Sequence, residues 1–125
     1  MFGSDPDVKR EVEVYDKLVK EKYGEVIGNT NVFLEGGLYC EIKECNLGNL
    51  FTEAAVEYFM RKRPRTGNGW TDAAVCVNNG GGIRSSINAT NNGGNITLED
   101  LMSVFPFSNN MLTLELTGLL YQVLF

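Results

Sequence analysis

A chain of 125 residues, 43% hydrophobic and 22% charged, is long enough for one soluble domain that buries roughly two-thirds of its unfolded surface. Its net charge of −5 has the wrong sign for a nucleic-acid partner, whose phosphates need a basic face. It contains no histidine, which removes the commonest general base and metal ligand and excludes a self-contained His-dependent hydrolase.

Asp5-Pro6-Asp7 reads as a helix start, with a side-chain cap, proline in the first turn and acid beside it. Val8, Val12, Tyr15, Leu18 and Val19 then recur at helical spacing to about Tyr23, where Gly24 ends the pattern. Such a charged amphipathic helix fits a domain-packing or linker role. Glu25 to Leu34 predicts one or two short strands, followed by a turn at Gly36-Gly37.

Cys40 and Cys45 enclose four residues, too close for a typical zinc pair and lacking a second pair. A small disulfide loop in an oxidising compartment fits, and the sequons at Asn88 and Asn95 point the same way, towards an extracellular glycoprotein. The alternatives are a reduced cytosolic pair of cysteines and chance sequons. Leu47, Leu50, Phe51, Ala54, Ala55, Tyr58 and Phe59 predict a helix whose broad apolar face packs on a sheet. Arg61-Lys62-Arg63-Pro64-Arg65 closes it, cations complementing the helix dipole before a proline.

Beyond Trp70, Ala73 to Val77 reads as a buried strand running into Asn79-Gly80-Gly81-Gly82-Ile83-Arg84. Three glycines permit a sharp turn and close approach of another group, flanked by an amide and a guanidinium fit for an anion or nucleotide. Asn91-Asn92-Gly93-Gly94 is a loop. Thr97 caps a short helix with Asp100 near its third position and Ile96 stapled onto Leu101, and Pro106 ends it in a rigid aromatic turn, Phe105 to Ser108. Met111 to Leu116 predicts a strand, and Thr117 a final helix. Leu119 to Phe125 is apolar without a stop signal, as in a chain cut inside an element.

Glu44-Cys45-Asn46-Leu47-Gly48-Asn49-Leu50, Asn79 to Arg84, Ile96 to Leu101 and Phe105-Pro106-Phe107 together resemble the 5′-nucleotidase family. They match, in order and spacing over about residues 40–118, the first half of its C-terminal, nucleoside-binding domain. The pattern is that of animal ecto-5′-nucleotidases and the salivary apyrases of blood-feeding arthropods. The charged helix before Val26 resembles the helix joining the family's two domains.

The resemblance implies hydrolysis of the phosphate esters of extracellular nucleotides. Two divalent ions, usually zinc, would activate water in an N-terminal metallophosphatase domain. This chain would bind neither ion and would hold no catalytic residue. By motif, Asn79 would hydrogen-bond the base of a purine nucleotide or nucleoside, Arg84 would hold the ribose or phosphate side, and Phe107 would stack on the base. The full-length form could be a homodimer.

Three features depart from the family pattern. Glu41 stands where an arginine usually follows the first cysteine of the loop, so binding weakens or changes selectivity unless Lys43 substitutes. Cys76 aligns with a family cysteine whose partner position is Thr52, leaving a free, buried thiol. A second stacking aromatic and a ribose-binding acid belong to a motif beyond residue 125.

The expected fold is α/β, a sheet of several strands flanked by helices near 6–23, 47–62 and 98–104 and incomplete at its C-terminal edge. Residues 1–24 would be an inter-domain linker helix and 25–125 part of the substrate-binding domain. The expected function is that of a fragment of a metal-dependent 5′-nucleotidase or apyrase that supplies nucleoside binding and is inactive alone. The alternatives are a non-catalytic nucleotide-binding or decoy protein, or the product of a decayed gene.

Overall fold

The computed structural model describes residues 5–62 and 71–118. Helix α1, Pro6–Tyr23, begins where the Asp5 carboxylate accepts a hydrogen bond from the Asp7 amide at 2.8 Å. It stops where the Gly24 amide donates to the Lys20 carbonyl. None of its residues is buried, and Val8, Val12, Tyr15 and Leu18 are exposed. Its Arg10–Asp7 and Lys20–Asp16 pairs lie in solvent and contribute little to stability. The Asp16 hydrogen bond nonetheless holds the Lys20 ammonium above its ordinary pKa, aided by its charge and by Glu99.

Strand β1, Val26–Asn29, pairs antiparallel with β2, Asn95–Thr97, with Val26 opposite Thr97 and Asn29 opposite Asn95. The register slips between Val26 and Gly28. Beyond this ribbon, Leu34 and Ile87 exchange both backbone hydrogen bonds, at 3.1 and 2.9 Å. The chain turns at Gly37, whose φ of +66° suits a residue without a β-carbon, into helix α2, Tyr39–Ile42. Cys40 and Cys45 are disulfide-bonded, with Cα atoms 5.2 Å apart.

Helix α3, Asn46–Lys62, is anchored at its first residue. The Asn46 amide accepts from the Glu35 N–H at 2.7 Å and donates to the Phe33 carbonyl at 2.9 Å. Helix α4, Leu98–Val104, has the predicted capping box: Asp100 N–H donates to the Thr97 hydroxyl, and Thr97 N–H to the Asp100 carboxylate. Between them, two 3-10 turns, Gly80–Gly82 and Ala89–Asn92, shape the connecting loops.

The core gathers Leu34, Cys45, Leu47, Ile83, Ile87 and Ala89 around Val104, which is fully buried. Tyr39, Ile96 and Phe105 pack against it. Most of these side chains come from loops, so backbone ties across loops hold it together. The Arg84 amide donates to the Val104 carbonyl at 2.8 Å, and the Gly36 amide to the Ser86 hydroxyl at 2.9 Å.

The arrangement of helices around a small sheet is of the α/β type, but it departs from expectation in two places. The described sheet has two strands; Ala73–Val77 and Met111–Leu116 pair with nothing among the described residues. Val75, Val77, Leu112 and Leu114 are exposed, because a strand buries its faces only when neighbours complete a sheet. Nor does α3 pack on a sheet among the described residues. It buries Leu47 and Ala55 and sets Phe51 against Phe105, ring centroids 4.6 Å apart, while Leu50 and Tyr58 face solvent. Arg63 to Trp70 and the helix predicted after Thr117, with its apolar end at 119–125, lie outside the described residues.

Candidate functional site

The glycine turn approaches a group of the chain itself. A β-carbon at Gly80 would lie 2.2 Å from the Cys40 carbonyl oxygen, so only glycine lets this turn sit against the disulfide loop. Around Gly82 there is open space. Close approach here is a folding requirement first.

Gly81 is the hub of the turn. Its amide donates to the Asn79 side-chain oxygen at 3.1 Å, and its carbonyl accepts from Arg84 Nη1 at 2.9 Å. The Arg84 guanidinium lies 5.9 Å from the centre of the Phe107 ring, within cation–π range. Phe107 is 52% exposed, a large aromatic face left in solvent. The three predicted site residues therefore converge: Asn79 and Arg84 meet at Gly81, and Arg84 reaches Phe107. Asn79 also caps the turn, so its side-chain oxygen is engaged while Nδ2 has no partner among the described residues.

The Glu41 carboxylate comes within 3.8 Å of the position a β-carbon would take at Gly81, and the Asn79 side-chain amide within 3.5 Å of the same position. Lys43 is engaged with an aromatic ring. Its Nζ sits 3.5 Å from the centre of the Tyr39 ring. A cleft of about 510 Å³ opens next to the site, between the disulfide loop and residues 76–80. Glu41, Asn78 and Gly80 line it, but Arg84 and Phe107 do not. Cys76 and Thr52 line it as well, and Cys76 is a free, half-buried thiol whose pKa burial pushes up.

The two sequons differ. Asn88 is exposed and accepts from the Thr90 amide at 3.2 Å. Asn95 is half-buried in β2 and accepts from Asn29 Nδ2 at 3.3 Å. Among the described residues no three His, Cys, Asp or Glu side chains converge as metal ligands.

Residues 26–124 match the model of the 5′-nucleotidase C-terminal domain. The chain belongs to the 5′-nucleotidase family. It is 38% identical over 118 residues to snake venom 5′-nucleotidase of Crotalus adamanteus, covering 94% of this chain and 20% of the relative. It is 35% identical to an apyrase of Tabanus yao over 113 residues, 90% of this chain and 19% of the relative. With human 5′-nucleotidase it shares 34% over 115 residues, 91% of this chain and 20% of the relative. The chain thus spans about a fifth of the length of the curated relatives it matches.

Glu41's position against Gly81 is the site feature that residue pattern alone does not locate. Only the fold puts the Glu41 carboxylate near the Asn79 side chain at Gly81.

Proposed function

We propose that this chain supplies the nucleoside-binding part of an extracellular nucleotide phosphohydrolase, a 5′-nucleotidase or apyrase. The observation that carries the reading is the convergence of Asn79, Arg84 and Phe107 around Gly81. Phe107 offers a π-face on which a purine stacks, and Asn79 Nδ2 donates to an acceptor on the ring edge. Arg84, fixed by the Gly81 carbonyl, orients Phe107 and keeps its remaining donors for ribose hydroxyls.

In this proposal α1 links the domain to the rest of the protein, and residues 25–125 form part of the substrate-binding domain. The exposed apolar side chains of α1 support that role. The hydrolytic chemistry and its two divalent ions belong to a metallophosphatase domain elsewhere in the full-length protein. A venom relative, the disulfide and the exposed sequon at Asn88 support the extracellular reading. No helix among the described residues is long and apolar enough to cross a membrane.

The test is expression of the full-length gene and measurement of phosphate release from AMP and ADP, with and without chelator. Chelator-sensitive release that falls roughly 10-fold or more in kcat/KM on Phe107→Ala supports the proposal, since a base stack is worth about 1–3 kcal/mol. No release from either substrate would sink the enzymatic reading and leave a nucleotide-binding protein.

A further inference from the structure

We propose that Glu41 sets the charge selectivity of this site, which binds a nucleoside more tightly than its 5′-phosphates. The inference rests on the nucleoside-binding reading above and names the ligand form that site prefers.

Two observations carry it. First, the glycine turn has no cradle for an anion. A phosphate-binding loop presents free backbone N–H groups, but those of residues 81–84 are all engaged. Gly81 donates to the Asn79 side chain, Gly82 to the Asn79 carbonyl, Ile83 to the Gly80 carbonyl and Arg84 to the Val104 carbonyl.

Second, the charges at the turn cancel. Arg84 is held on the Gly81 carbonyl, and the Glu41 carboxylate faces the same glycine without an ion pair among the described residues. The two other charges of the disulfide loop, Lys43 and Glu44, are of opposite sign and offset each other. Lys43 lies over Tyr39, and the Glu44 carboxylate accepts from the Asn49 amide at 2.8 Å. A phosphate reaching for Arg84 comes within one screening length of Glu41, where a like charge repels it. The aromatic face of Phe107 and the Asn79 amide carry no such bias. They serve the base equally whether phosphate is attached or not.

The experiment is calorimetric titration of the chain with adenosine, AMP and ADP in EDTA, repeated with Glu41→Gln, Glu41→Arg and Phe107→Ala. Glutamine keeps the shape of the side chain, so a variant that melts like the parent isolates the charge. The expected series weakens from adenosine to AMP to ADP by roughly threefold per step. Glu41→Gln flattens it and Glu41→Arg reverses it, with adenosine affinity changing less than about twofold in either. A series that rises or stays flat with phosphate number in the parent, or that Glu41→Gln leaves unchanged, overturns the role of Glu41 while the binding site stands. Failure of all three ligands to bind, or binding indifferent to Phe107→Ala, overturns the site and this inference with it.

Discussion

The loop-built core and the two unpaired apolar segments contain the same kinds of residue and meet opposite fates. Val104 is 0% exposed, whereas Val75 and Val77 are each 60% exposed. Val104 ends a capped helix, and its carbonyl is tied to Arg84, so its side chain is delivered into a cluster already closed by the Leu34–Ile87 bridge. Residues 73–77 have good strand composition but no neighbouring strand among the described residues. Burial follows from pairing, and composition without a partner leaves the side chains in water.

The sharpest way to break this contrast is one substitution made in both regions. Val104→Ala should cost about 2.5 kcal/mol, the transfer term plus the cavity left in a closed cluster. Val75→Ala should stay within about 0.5 kcal/mol. Urea denaturation of both variants checks it, and equal losses would mean that residues 73–77 are packed.

Replacing Cys40 and Cys45 together by serine should destabilise by about 2 kcal/mol in the chain-entropy account of a short loop. Because the Cys40 carbonyl backs Gly80, the same change should also broaden the amide signals of residues 80–84, read by NMR. Removing the capping hydroxyl by Thr97→Ala should cost about 1 kcal/mol, visible as a lowered Tm.

Cys76 gives the smallest effect, through pH. Burial raises its pKa in the folded chain above that in the unfolded chain, so the folded chain holds the proton more tightly. Its contribution to stability is complete below the unfolded thiol's pKa and is lost as pH rises through the folded value. The checks are thiol titration, which should find one reactive cysteine per non-reduced chain, and alkylation slower in the native state than in urea at the same pH.

Helices α1, α3 and α4 were legible in the sequence to within a residue, because caps and periodicity are local signals that need no partner. The disulfide loop was legible too, as was a strand within Glu25 to Leu34, of which Val26–Asn29 forms one. The core was harder to read. Leu34, Ile83 and Ile87 sit in loops without a period, and their burial depends on contacts about fifty residues apart in sequence.

At the site, Asn79, Arg84 and Phe107 stand out by motif, and the structure brings them together. The three glycines mark a place for close approach. The approaching group is the Cys40 carbonyl, a tertiary contact with no sequence signature. Glu41's carboxylate reaches Gly81 only through that same contact.

In the proposed function Phe107 and its neighbours hold a nucleoside. Intermolecular NOE measurement between adenosine and the isotopically labelled chain tests it most directly. Expected are NOEs from the adenine H2 or H8 proton to the Phe107 ring, with shift changes in the Asn79 side-chain amide. Saturating adenosine that leaves Phe107 and Asn79 unshifted, or NOEs confined to the cleft by Cys76 and Thr52, would contradict it.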